Sequence, residues 1–179
     1  MSREDITFEL SNKVLAKLRR EFELVAQEVW VDERHRVDFV AFRTARGELT
    51  AGSIEHGRFC FVEVKSCMDD FNSGHGLTFD GDDNWLVCPR DLCEKLRRQR
   101  LLPRPASVVC PDRAGNLRKV IEMTGGDYPM RTRCSSELLW RMIRHSAVAW
   151  RTQSEVFRDE QPESWKGGEL ARSIHDLPR

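Results

Sequence analysis

Three things are scarce in this chain of 179 residues: net charge, aromatic rings and any paired arrangement of its cysteines. Lys plus Arg equal Asp plus Glu at 29 each, so no global field draws the protein toward polyanions, and contact with nucleic acid has to come from a local patch. Aromatics make up 8% of the residues and fall mostly on core-type positions, so stacking platforms for single-stranded nucleic acid cannot be assigned from the sequence. Cys60, Cys67, Cys88, Cys93, Cys110 and Cys134 include no C-x-x-C pair, and several lie in apolar strand-like runs. Buried free thiols are expected there rather than a zinc site. No apolar run approaches the length of a membrane span, and the segment opening at Met1 lacks the apolar core of a signal peptide. A cytoplasmic protein without membrane contact is expected.

What is present reads as an ordinary soluble domain, 40% hydrophobic and 32% charged. Apolar residues at Ile6, Leu10, Val14, Leu15, Leu18 and Phe22 have the spacing of a helix with one buried stripe over 4–21. Leu24 to Val31, Arg36 to Arg43 and Phe59 to Lys65 read as consecutive antiparallel strands. The connection from Thr44 to Arg58, with Gly47, Gly52 and Gly57, is expected to be a mobile loop. Residues 66–83 read as an ordered loop with one helical turn near Met68 to Phe71, followed by a strand from Asn84 to Cys88 and a helix from Arg90 to Arg100. Ala106 to Cys110 and Leu117 to Met123 form a last hairpin around Pro111 to Asn116. A second amphipathic helix is expected from Ser135 to Trp150, with Leu138, Leu139, Met142 and Ile143 inward. The order gives an α/β sandwich with a mixed central β-sheet flanked by helices. The domain plan is a core over 1–127, a helical extension over 128–151 and a polar tail over 152–179.

Chemistry concentrates where two apolar strands run out. Asp38 sits within Arg36-Val37-Asp38-Phe39-Val40-Ala41-Phe42, and Glu63-Val64-Lys65 closes the run that begins at Phe59. Alternation in a strand sends Glu63 and Lys65 to one side and Val62 and Val64 to the other. A lone carboxylate in a strand as apolar as that of Asp38 would be costly without a purpose. Two carboxylates about 4 Å apart would repel by ~4 kcal/mol at an effective dielectric near 20, so both stay ionised readily only with a cation between them. Oxygen ligands of this kind suit Mg²⁺ or Mn²⁺ rather than zinc. Such an ion lowers the pKa of a bound water and neutralises phosphate charge, while Lys65 could orient the water or stabilise developing negative charge.

Asp38 with Glu63-x-Lys65 resembles the PD-(D/E)XK phosphodiesterase superfamily, whose fold is the restriction-endonuclease-like sandwich. That resemblance implies a nuclease acting on DNA, with Asp38 and Glu63 as metal ligands, the backbone carbonyl of Val64 joining the metal shell, and a helix-one glutamate completing the site. Glu9 fits that last role best and Glu4 less well. A closer likeness is to MmcB-like DNA-repair proteins and small phage or prophage relatives. It is carried by Asp70-Phe71, Gly76, Phe79, Gly81, Asn84-Trp85 and Pro89 after the E-x-K strand, and covers roughly residues 5–123. It implies a role in repair or phage DNA processing, with a homodimer or a protein partner among the expected assemblies. Val37 stands where the family often has proline, and the crossing helix is short.

Blander readings stand beside these. Glu63 and Lys65 could be an exposed ion pair, and Glu9 could serve only the helix dipole. His75 could contact a phosphate or be incidental. Asp69, Asp70, Asp80, Asp82 and Asp83 lack the spacing of an EF-hand and read as loop solvation, with Asp70 capping a local turn. Arg97, Arg98, Arg100 and Arg104 could follow a phosphate backbone or simply be solvated. The alternative to a nuclease is a noncatalytic nucleic-acid-binding or adaptor module on the same scaffold, and a third possibility is a metal-stabilised interaction domain using the cysteines.

Overall fold

Helix α1, Arg3–Glu21, begins where Ser2 and Asp5 cap each other: the Ser2 hydroxyl accepts the Asp5 N–H and the Asp5 carboxylate accepts the Ser2 N–H. Its buried stripe is Leu10, Val14 and Leu18, as the spacing requires. The computed structural model describes residues 2–47, 50–122 and 131–144, all within one compact unit spanning Met1–Ser146. After α1 come β1 (Leu24–Trp30), β2 (Arg36–Arg43), α2 (Ala51–Glu55), β3 (Arg58–Val64), α3 (Met68–Asn72), β4 (Asp83–Val87), α4 (Arg90–Gln99), β5 (Ser107–Pro111) and β6 (Leu117–Ile121). Residues 135–144 are helical.

The strands form one six-stranded sheet in the order β1-β2-β3-β4-β5-β6. The first three meander antiparallel; β3, β4 and β5 run parallel, and β6 returns antiparallel. The parallel pairs need crossovers, which α3 with its loop and α4 supply. An α/β sandwich with a mixed sheet is therefore the architecture. On one face, α1 packs Leu10, Val14 and Leu18 against Phe39, Ala41, Cys60, Val62, Val64, Trp85 and Val87. On the other, Leu138 and Met142 of the 135–144 helix cover Val29, Val40, Phe59 and Phe61. Beside them α4 and the β3–β4 crossover cover Leu86, Cys88 and Val108.

The strand and helix limits read from the sequence agree with the structure to within a residue or two at most ends, and three expectations need correction. The connection after β2 is not all loop: Thr50 accepts the Ser53 N–H on its side chain and starts α2, which Gly52 does not prevent over so short a span. Ile143 does not face inward; it is 52% exposed, because a two-layer contact buries only the Leu138 and Met142 stripe. β3 ends at Val64, so Lys65 lies just past the strand, although its N–H still bonds the Val87 carbonyl at 2.9 Å. Cys60, Cys88, Cys93 and Cys110 are buried and unpaired, Cys67 is half-buried and Cys134 is exposed. The end of the 135–150 helix, the stretch 123–130 and the tail 152–179 lie outside the described residues, and with them the expected domain limits. No helix among the described residues is long and apolar enough to cross a membrane.

Candidate active site

Asp38 occupies the point where β2 and β3 part. Their ladder runs from Arg43–Arg58 to Phe39–Val62 and stops there. Alternate N–H groups of a strand point to opposite neighbours, and Lys65 N–H points to β4, so Val64 N–H points toward β2. No backbone carbonyl of β2 meets it; the Asp38 carboxylate does, with Oδ2 at 2.8 Å. The acid thus replaces a ladder acceptor and sits at the fork. Desolvation pushes its pKa up, against the opposing pull of the Val64 N–H and of Lys65.

Glu63 shares the face of Phe59 and Phe61 and is fully buried. Its Oε1 accepts only a long bond from Thr78 N–H at 3.4 Å, and Oε2 is a buried oxygen with no hydrogen-bond partner. Burial first, and the Asp38 charge second, push its pKa up to about 9. At neutral pH the metal-free Glu63 is therefore a neutral acid. Gly76 backs directly onto it: a Cβ built there would lie 2.6 Å from Oε2 and 3.6 Å from Lys65 Nζ. That glycine has φ +66°, a conformation costly for other residues. Lys65, only 5% exposed, donates to the His75 carbonyl at 2.5 Å and lies 3.9 Å from Asp70 Oδ1.

Asp70 is the residue that sequence reasoning undervalued. Its expected capping role is present, since Oδ2 accepts both the N–H and the hydroxyl of Ser66 at 3.0 and 3.2 Å. Its Oδ1 also accepts from Arg3 Nη2 at 2.8 Å, tying α1 to the β3–β4 crossover. Burial raises its pKa, but Ser66 N–H, Lys65 and Arg3 outweigh that and hold the group ionised below the usual carboxylate range. The only hint in the sequence was the Asp70-Phe71 pair following the E-x-K strand.

These groups border an open cleft of about 470 Å³, a volume typical of ligand sites. Asp38, Val64, Lys65, Asp70, His75 and Gly76 line its floor, and Arg3, Thr7 and Ser11 of α1 form one wall. Glu63 lies behind that floor. Glu9 is not brought to the site. It falls two residues from both Thr7 and Ser11, roughly 200° around the helix, and its carboxylate pairs with Lys13 at 2.7 Å. Lys13 in turn approaches Gly115 in the β5–β6 turn, on the far side of α1. Glu4 is exposed in the first turn and is not among the residues lining the cleft. Arg97 and Arg98 of α4 likewise lie away from it.

The donor set can be tested against a hard divalent ion. Among the described residues, no group of three or more His, Cys, Asp or Glu side chains is arranged to hold a metal. Two neighbouring carboxyl groups are present, however: the Asp38 charge adds to burial in pushing up the pKa of Glu63, and Glu63 carries an unpartnered buried oxygen. The Val64 carbonyl shares the orientation of its N–H toward the fork. This is an oxygen set of the kind Mg²⁺ and Mn²⁺ prefer, with water supplying the remaining positions.

No family model matches the chain, and no curated protein matches it. Among solved structures, it is similar to a protein of unknown function from Silicibacter pomeroyi, with a TM-score of 0.55 and 17% identity over 88% of this chain and 96% of that one. The likeness is one of fold.

Proposed function

We propose that this chain is a Mg²⁺- or Mn²⁺-dependent nuclease that hydrolyses phosphodiester bonds of DNA, of the PD-(D/E)XK type. The observation that carries the reading is Glu63: a fully buried acid with an unpartnered oxygen, coupled to Asp38 and next to Lys65, beneath an open cleft. A purely structural acid would have a hydrogen-bonded carboxylate, because leaving one oxygen bare costs ~1–3 kcal/mol.

Asp38, Glu63 and the Val64 carbonyl would hold the ion. A bound divalent ion supplies an acidified water and charge neutralisation on the phosphate. The chain's own part is positional. Val64 N–H fixes the Asp38 carboxylate, and the His75 carbonyl holds the Lys65 ammonium at the cleft floor, where it can orient a water or stabilise negative charge on a phosphoryl oxygen. Arg3, kept in place by Asp70, offers a second cation to the phosphate from the α1 wall. Thr7 and Ser11 add hydroxyl donors on the same wall.

The noncatalytic binding module has one observation in its favour: Gly76 and His75 close over Glu63 and Lys65, leaving both nearly without solvent contact. Cleavage assays separate the two. Incubated with plasmid, linear duplex and single-stranded DNA plus Mn²⁺, the wild type is expected to nick or degrade at least one form. Asp38→Asn and Lys65→Ala are expected to lower the rate at least ~100-fold. Equal products from all three proteins would refute the assignment of Asp38 and Lys65, and no products from the wild type alongside intact DNA binding would leave the binding module as the better reading.

A further inference from the structure

One feature of the cleft is unused by the phosphate chemistry. Trp30 ends β1 on its rim and is 53% exposed. Its cross-strand partner is Arg36, whose guanidinium lies over the indole at 6.0 Å. Arg36 is itself held by Glu28, Nε to Oε2 at 2.7 Å. The neighbouring turn is tied together by Asp32: its Oδ1 accepts the N–H groups of Arg34 and His35, both at 2.8 Å, and its Oδ2 accepts from Arg133 at 3.0 Å. Arg141 anchors the Trp30 carbonyl at 3.3 Å. Arg34 also lines the cleft, and its guanidinium has no ion pair among the described residues. An ordered indole, a stacked guanidinium and a free cation thus stand together a few side chains from the acid floor.

We propose that Trp30, with Arg34 and Arg36, is a stacking platform for an unpaired base, so that the cleft takes single-stranded DNA. This deepens the nuclease reading and rests on it for the fate of the strand, though not for its binding. An aromatic face accepts any base, and flanking arginines engage the adjoining phosphates; this combination is how single strands are held without sequence preference. A duplex keeps its bases stacked inside and offers such an indole only its end. The arginines alone would bind any polyanion, so the ring is the part that distinguishes strands with accessible bases.

The test is fluorescence anisotropy with three labelled probes of equal length in EDTA, where cleavage cannot occur: an oligothymidylate, the same strand with abasic sites throughout, and a duplex. Wild type should bind the oligothymidylate most tightly. Trp30→Ala should weaken that complex about tenfold while changing the abasic and duplex complexes less than twofold, and Trp30→Phe should recover most of the loss. Arg34→Ala should weaken all three and reduce the salt dependence. Unchanged oligothymidylate binding by Trp30→Ala, an equal loss on all three probes, or no wild-type binding to the oligothymidylate would overturn the platform. Because no metal or turnover is involved, failure here leaves the cleavage result independent, and a protein that binds in this way without cleaving would sink only the nuclease reading.

Discussion

Glu63→Gln is expected to act in opposite directions on activity and stability. Cleavage should fall by about a thousandfold, because a carboxamide cannot supply the anionic oxygen that a divalent ion needs. The metal-free protein, by contrast, should become more stable at pH 8. Glu63 titrates at about 9 in the folded chain, against an ordinary 4.5. The folded state therefore keeps a proton that the unfolded chain gives up, so this group's contribution is most favourable below pH 4.5 and is lost progressively as pH rises toward 9. Each unit of displacement corresponds to ~1.4 kcal/mol, and a buried amide with an unmatched N–H returns ~1–3 kcal/mol of cost, so a net gain of ~2 kcal/mol at pH 8 is expected. Urea titrations of wild type and variant at pH 5 and pH 8 check this. The gap should be small at the lower pH and open at the higher one. A variant less stable than wild type at pH 8 would mean that Glu63 is ionised and satisfied in the fold.

Gly76→Ala should be strongly destabilising. The residue lies at φ +66°, where a Cβ costs ~1–2 kcal/mol. A methyl there would also stand 2.6 Å from Glu63 Oε2, a buried oxygen without a hydrogen-bond partner, so the Glu63 side chain would have to shift within the core. The two effects together should cost ~3 kcal/mol. Gly74 supplies the control, since its φ of +70° is nearly the same and a Cβ there meets nothing within 4 Å. Gly74→Ala should therefore show only the backbone part, ~1 kcal/mol. Equal destabilisation of the two variants would show that the loop does not press on the acid.

How much of this was legible in the sequence varied with the range of the interaction. Strand alternation placed Glu63 and Lys65 on one side, with Val62 and Val64 against α1, because period two is local and each face has its own core. The acid at position 38 stood out for the same reason: a carboxylate inside Val37-Asp38-Phe39-Val40 needs a partner, and Val64 N–H is that partner. Glu9 shows the limit. The apolar stripe fixes which side of α1 is buried but not which flank borders the cleft, and that depends on how the helix crosses the sheet. Arg3, Thr7 and Ser11 occupy the flank that Glu9 was expected to fill. Gly76 and Asp70 were visible as loop residues only, since their meaning comes from a crossover folding back over β3. Helix α2 was hidden among three glycines, with Thr50 as its one local signal. Trp30 looked like any strand-end aromatic until the Arg36 pairing placed it on the rim.

The measurement that bears most directly on the central claim is Mn²⁺ binding by calorimetry to wild type and Asp38→Asn at pH 6.5 and pH 8.5, without DNA. If the carboxylates of Asp38 and Glu63 share one ion, the wild type binds a single Mn²⁺, releases a proton as Glu63 ionises, and binds more tightly at the higher pH, while Asp38→Asn loses at least ~100-fold in affinity. Absence of wild-type binding at millimolar Mn²⁺, or binding that Asp38→Asn leaves intact, would contradict it.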